Sequence, residues 1–295
     1  MAPYVHAASP DAGNDVISRI YLIRHGDRFD YANPSWLESA KDHGALVTDP
    51  PLSALGHRQA RETADQLRRI TKTNDNENGD TNSQQQHHNH HVDKILVSPY
   101  LRVIQTACPT SDALGLPLSI ENGLSEAHAT PGVLPSPADR FAYFPHIDPG
   151  HVSLYDVQST PGHSCPKTGH ACEAFAGKYC QRMEQFATCL ERTYYGKSVM
   201  LFSHAASVAL VAALVKCSMR DLKFAPCGIY QLQRVNEGPW TLMGNGDSNE
   251  EYVTENSPTT YPWGFGDKYF IEGTERNYWG SSEGIGLDYF VREES

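Results

Sequence analysis

Within five positions, Arg24-His25-Gly26-Asp27-Arg28, the chain presents two guanidinium groups, an imidazole and a carboxylate. A guanidinium is a rigid fork whose donors match the oxygens of a phosphate with charge-assisted bonds. A neutral imidazole nitrogen is a nucleophile that can take up a phosphoryl group and so divide one difficult displacement into two easier ones. Three further stretches supply what such chemistry needs. Ser98-Pro99-Tyr100-Leu101-Arg102 adds a third arginine, and Ser203-His204-Ala205-Ala206-Ser207 a second histidine. Leu124-Ser125-Glu126 carries a carboxyl able to protonate a leaving oxygen. Arg24, Arg28, Arg102 and His204 are the candidate phosphate-binding groups. His25 is the candidate nucleophile, and Glu126 the candidate acid with Asp27 as its alternative.

Each of these stretches follows a segment that can position it. Ile20 to Ile23 is a short apolar run of strand formers that breaks into the Arg-His-Gly turn. Val92 to Val97 is a second strand stopped by Ser98-Pro99, and the helix beginning at Tyr100 puts Arg102 in its first turn. Pro109 limits that helix or breaks its first turns. Leu118 to Ile120 makes a short strand, with residues 121–129 as the loop beyond it. Lys197 to Phe202 is a buried strand, followed by Ser-His and an apolar helix over Val208 to Lys216. Ser53 is placed to cap a helix with apolar spacing through Ala60, Ala64, Leu67 and Ile70. Ala174 to Tyr194 reads as a helix whose aromatic and Met stripe packs in the core, and Gly228 to Arg234 as a later strand. Strands that end in chemistry and lead into helices predict an open α/β sheet, with ligands outside the strand carboxyl ends.

The remaining segments carry less pattern. Residues 1–17 are a polar, poorly ordered leader, and the domain proper runs over 18–295. Residues 71–91 are almost wholly polar and cannot bury enough apolar area to offset chain entropy, which predicts a disordered insertion. Residues 29–51 read as a long insertion, either a surface loop with its own apolar anchor or a wall of the pocket, 130–170 as an irregular excursion over the sheet edge where specificity loops lie, and 244–295 as an extended C-terminal wrap. Net charge is −11, with no basic patch for nucleic acid. An anionic substrate would have to be held by arginines concentrated locally. Seven cysteines without a Cys-x-x-Cys pair predict reduced thiols and a cytoplasmic location. The longest apolar run, Val208 to Val215, is too short to span a bilayer. His163, Cys165, His170 and Cys172 fit no standard zinc spacing, and the histidines at 87, 88, 90 and 91 belong to the polar insertion. No metal or other cofactor is expected, and the glycines form no triphosphate-binding loop.

The order strand-Arg-His-Gly, strand-Ser-Pro-x-x-Arg, loop Glu and strand-Ser-His-helix resembles the histidine phosphatase superfamily over roughly residues 18–216. Pro51-Leu52-Ser53-Ala54-Leu55-Gly56-His57-Arg58-Gln59-Ala60 is similar to that family's helix-entry segment. In motif style the chain looks most like the suppressor-of-T-cell-receptor-signalling phosphatases. The resemblance implies a three-layer α/β/α sandwich with a mostly parallel central sheet, of the phosphoglycerate mutase-like type. It implies hydrolysis of a phosphomonoester, on a small molecule or a phosphoprotein such as one bearing phosphotyrosine, through phospho-His25. Glu126 would be the proton donor and His204 a phosphate ligand. The acid-phosphatase branch carries His-Asp at the second histidine; Ala205 stands there instead, so the acid is expected from the loop. Mutase or sugar bisphosphatase activity, and a non-catalytic interaction module on the same scaffold, are the alternatives that these motifs share.

Overall fold

The computed structural model describes residues 15–42, 49–71, 91–126, 134–155, 163–164, 171–172, 179–219 and 222–257. The insertion read over 71–91 lies outside them apart from Thr71 and His91. So do most of the leader and everything after residue 257.

A six-stranded sheet organises the described chain, in the order β3-β2-β6-β1-β7-β8. Strand β1 (Ile17–Arg24) lies between β6 (Ser198–Ser203), to which it runs parallel, and β7 (Ile229–Val235), to which it runs antiparallel. Strands β2 (Lys94–Val97) and β3 (Leu118–Ile120) extend the parallel side, and β8 (Thr241–Gly244) closes the antiparallel edge. Three of the five pairings are thus parallel and two antiparallel, which is the mostly parallel sheet that the motif order implied. A two-stranded antiparallel ribbon of β4 (His163–Ser164) and β5 (Ala171–Cys172) stands apart.

The strand period of two divides the core between the sheet's faces. Ile20 and Leu22 of β1, Val199 and Leu201 of β6, and Leu96 of β2 face one apolar layer. That layer is formed by α6 (Cys180–Thr193) and α7 (Val208–Val215). Tyr21, Ile23, Met200, Phe202, Ile95 and Val97 face the other, which contains Leu67 of α3 (Ala54–Thr71) and Val103, Ile104 and Ala107 of α4 (Leu101–Leu114). Because both faces are covered, β6 is buried at every position.

Helix α4 runs through Pro109 to a left-handed Gly115, where the sequence had suggested that the proline limits or breaks it. A proline inside a helix costs about 3 kcal/mol. Burial of Val103, Ile104, Ala107, Thr110 and Ser111 along one face outweighs that penalty.

The insertion over 29–51 holds two short helices, α1 (Phe29–Ala32) and α2 (Trp36–Asp42), rather than an irregular loop. The segment read as irregular over 130–170 contains α5 (Pro137–Phe141), started by a reciprocal capping box between Ser136 and Asp139. Arg140 of α5 pairs with buried Asp49, whose other carboxylate oxygen accepts from the Leu101 N–H at the start of α4 at 2.7 Å. One carboxylate therefore joins both insertions to the helix that carries Arg102. Among the described residues no helix is long and apolar enough to cross a membrane, and Cys108, Cys180, Cys189, Cys217 and Cys227 are free thiols.

Candidate active site

Register brings the candidate residues to one end of the sheet. Arg24 pairs with Ser203 across β1 and β6, and Val97 with Phe202 across β2 and β6. The ladder continues one step past the strands, with His25 N–H donating to the Ser203 carbonyl at 3.0 Å and Ser98 N–H to the Phe202 carbonyl at 3.0 Å. The three strand exits, at His25, Ser98 and His204, are therefore level. Glu121 N–H bonds the Val97 carbonyl at 2.8 Å, so the chain leading to Glu126 leaves from the same edge.

His25 is 4% exposed. Its Nδ1 lies 2.7 Å from the Gly26 carbonyl oxygen. A carbonyl can only accept, so Nδ1 carries the hydrogen and Nε2 of the neutral ring carries the lone pair. Burial, then the positive charges of Arg102 and Arg24, holds the imidazole well below its ordinary pKa, outweighing the carbonyl bond. The ring stands edge-to-face with that of His204, their centroids 5.4 Å apart.

His204 is fully buried and gripped at both nitrogens. Nε2 is 2.8 Å from Ser98 Oγ. Nδ1 is 3.3 Å from Glu126 Oε2 and 3.2 Å from an Arg102 terminal nitrogen. Donation to Glu126 and donation from Arg102 require opposite tautomers, so this ring has two proton arrangements within one geometry.

The arginines differ in how they are engaged. Arg102 is 0% exposed, stacks over the Tyr100 ring at 4.5 Å and lies 4.0 Å from Glu126. Its Nε and one terminal nitrogen are buried with no hydrogen-bond partner among the described residues. Arg24 donates to the Phe224 carbonyl, and burial lowers its pKa to about 10. Arg28 turns towards α1. It donates from Nε and a terminal nitrogen to the two oxygens of Asp30, at 3.0 and 2.6 Å. Its other terminal nitrogen donates to the Tyr31 hydroxyl at 2.8 Å. Burial works against its charge, but Tyr31 and Asp30 together raise its pKa above the usual value.

Glu126 is 4% exposed, on the segment after a 3-10 turn at Asn122–Leu124. Buried Arg182 of α6 donates to the Gly123 carbonyl at 2.6 Å and to the Ser125 carbonyl at 3.1 Å. Ser203 Oγ donates to the Leu124 carbonyl at 2.8 Å. Three successive carbonyls ahead of Glu126 are thus fixed by the helix and strand beneath them. Arg182, Ser98 and Ser203 have parts in the site that spacing alone left unassigned. Ser98 stood inside a quoted motif, whereas nothing in the pattern of α6 distinguishes Arg182 from a surface arginine.

Asp27 is built into the support. One oxygen accepts from Ser53 Oγ at 2.6 Å and the other from the Ser257 hydroxyl. Ser53 Oγ in turn accepts from the Gly56 N–H at 3.0 Å, capping α3. Burial pushes the Asp27 carboxyl up, against the pull of the Ser53 bond. The backbones are in contact here: a Cβ on Gly26 would lie 2.8 Å from the Gly56 carbonyl oxygen, and a Cβ on Gly56 would overlap the Asp27 carbonyl. Gly56→Ala is expected to destabilise the fold by about 1–3 kcal/mol, read as a lower urea midpoint at unchanged m-value, because neither backbone can retreat.

The structure thus brings His204, Arg102 and Glu126 together, with the His25 ring against that of His204. It places Arg24 directly before His25, and ties Arg28 to Asp30 and Tyr31 of α1. No curated protein sequence matches the chain. The profile of the histidine phosphatase superfamily (branch 1) matches residues 81–131. Among solved structures, the ecdysone phosphate phosphatase of Bombix mori is similar over 86% of this chain and 100% of its own, at 18% identity and a TM-score of 0.55. A mycobacterial glucosyl-3-phosphoglycerate phosphatase matches over 79% of this chain and 100% of its own, at 19% identity and a TM-score of 0.45. A phosphoserine phosphatase of Entamoeba histolytica matches over 78% and 96%, at 18% identity and a TM-score of 0.44. The segment that matches the family profile contains Ser98, Arg102 and Glu126, and the first of these structures shares the fold along most of the chain.

Proposed function

We propose that this protein is a phosphomonoester hydrolase that works through a covalent phosphohistidine at His25. The observation that carries the reading is the state of the buried cluster. A neutral imidazole with its hydrogen fixed on Nδ1 stands beside Arg102, two of whose buried nitrogens lack partners among the described residues. Unsatisfied buried guanidinium donors are costly, and a phosphate oxygen would satisfy them.

In the first step His25 Nε2 attacks phosphorus and the P–O ester bond breaks in line. Arg24, Arg28, Arg102 and His204 bind the non-bridging oxygens, and Glu126 gives its proton to the leaving oxygen. In the second step Glu126 takes a proton from water, the water oxygen attacks phosphorus, and the P–N bond breaks. Phosphate leaves, with Nε2 free and Glu126 protonated again. Both steps use positioning and fixed charge, as phosphoryl transfer requires. A phosphorylated small molecule or a phosphorylated side chain can supply the ester.

The test is hydrolysis of p-nitrophenyl phosphate with chelator present, together with rapid acid-free quenching to trap a phosphohistidine. A mass increase on the peptide containing His25 supports the mechanism; turnover with label on any other residue refutes it. The depressed pKa of His25 adds a pH expectation. The nucleophile stays neutral through mildly acidic solution, so no loss of activity from its protonation falls near the ordinary histidine value. Stability carries the matching sign. The folded pKa lies below the unfolded one, so the contribution is intact above the ordinary value and is lost as pH falls below it, where only the unfolded chain takes the proton. Urea midpoints measured downward from neutral pH check this.

A further inference from the structure

We propose that Arg182 is a positioning residue for the acid: by holding the peptide groups that lead into Glu126, it sets how well the reaction expels a leaving group that needs a proton. This rests on the hydrolase reading above and deepens it.

Arg182 is 1% exposed, so it acts on the site through its neighbours and not by touching a substrate. Its two terminal nitrogens donate to different carbonyls of one short segment, Gly123 at 2.6 Å and Ser125 at 3.1 Å. The Ser125 carbonyl shares a planar peptide unit with the nitrogen and Cα of Glu126. Holding that oxygen therefore holds the plane from which the Glu126 side chain departs. A guanidinium is a rigid fork, so the two carbonyls are also fixed relative to each other. Burying a guanidinium is costly unless it is bonded. A role confined to filling space between α6 and the segment would be met by an apolar side chain.

The residues around Arg182 keep the segment on α6. Phe186 follows it by one turn on the same helix face. A Cβ on Gly123 would come within 2.5 Å of the buried Phe186 ring, so the segment rests directly on the helix. Tyr179, three residues before, places its ring 4.7 Å from the guanidinium carbon and its hydroxyl 3.3 Å from Ser207 Oγ. At the start of the segment the buried Glu121 carboxylate accepts from the Gly123 N–H at 3.1 Å and from the Leu154 N–H at 2.8 Å. Glu126 thus leaves a fixed stretch of backbone, with Oε2 3.3 Å from His204 Nδ1. A general acid must stand within hydrogen-bond reach of the oxygen it protonates, and a misplacement of about 1 Å can cost about 10²-fold.

The experiment reads the ratio of kcat/KM for p-nitrophenyl phosphate to that for phenyl phosphate, which cancels any general loss of activity. Only the second ester needs a proton on its leaving oxygen. The proteins compared are wild type, Arg182→Met, Glu126→Gln and the double variant. Arg182→Met should raise the ratio by about 10²-fold, through loss on phenyl phosphate. With Glu126 already replaced, Arg182→Met should leave the ratio where Glu126→Gln puts it, because a residue that acts through another adds nothing once the other is gone. Equal losses on both esters in Arg182→Met leave the ratio unchanged and overturn the proposal. A rise as large in the Glu126→Gln background as in wild type overturns it too. If Arg182→Met does not fold, Arg182→Lys takes its place, alone and with Glu126→Gln. It keeps the charge and loses the fork, so the ratio should rise in the same direction, and an unchanged ratio overturns the proposal. A ratio raised by Glu126→Gln but not by the Arg182 variant sinks this proposal alone. A ratio that Glu126→Gln does not move removes the acid from the mechanism, and a wild type inactive on both esters removes the hydrolase reading; the proposal falls with either.

Discussion

His25→Ala should abolish hydrolysis of p-nitrophenyl phosphate, lowering kcat by about 10⁴-fold or more, while leaving a folded protein. The magnitude follows from the proposed role: without the nucleophile no covalent intermediate forms, and only the fixed positive charges remain to assist water. The fold should survive because the one side-chain hydrogen bond of His25 is local, to the adjacent Gly26 carbonyl. The His204 ring keeps its own bonds to Ser98 and its contacts with Arg102 and Glu126. The variant should still bind phosphate or vanadate, since the arginines are untouched. Steady-state kinetics, circular dichroism and an inhibitor titration read these three expectations separately. Activity near the wild-type level in His25→Ala would sink the covalent mechanism, whatever the fold resembles.

Glu126→Gln should cost about 10²–10⁴-fold with phenyl or alkyl phosphates, the range for loss of a positioned general acid. It should cost much less in kcat/KM with p-nitrophenyl phosphate, whose leaving group departs without a proton. Glutamine keeps the size and an acceptor oxygen for Arg102, so the comparison isolates the transferable proton. The burst of nitrophenol released by the first turnover should persist, while the second step, which needs a base to activate water, slows. Asp27→Asn should show no such dependence on the leaving group, because both Asp27 oxygens hold Ser53 and Ser257 hydroxyls and its fault would be in support of α3. Equal losses of kcat/KM on good and poor leaving groups in Glu126→Gln would assign Glu126 to binding and not to proton transfer.

The parts of this architecture that announce themselves in the sequence are those where one physical signal dominates. Strands β1 and β6 are apolar runs ending in unlike chemistry, and α3 is marked by the Ser53 cap and a regular apolar stripe. The parts that escaped are decided by neighbours far away in the chain. Pro109 sits inside a helix because the buried face of α4 outweighs it. The strand β8 alternates exposed and half-buried positions and is defined by pairing with β7. The direction of β7 depends on which edge it joins. The capping box of Ser136 and Asp139 has its three-residue spacing in the sequence, but the prolines around it obscure the short helix that it starts. In the site, His25, His204, Arg102 and Glu126 could be picked out by type and order. The pairing of Arg28 with Asp30 could not, since a bend after Arg28 had to be known first. Nor could the support of Glu126 by Arg182, which joins residues from separate elements.

The place of β1 in the sheet has a consequence for the time at which the protein becomes competent. Both partners of β1 are made late, at residues 198–203 and 229–235. During synthesis β1 and its His25 emerge well before the strands they pair with, and an apolar segment with open edges must wait until those are made. Closing such distant pairings is slow, and exposed strand edges invite association in the interval. His25 is thus made long before the strands that come to surround it.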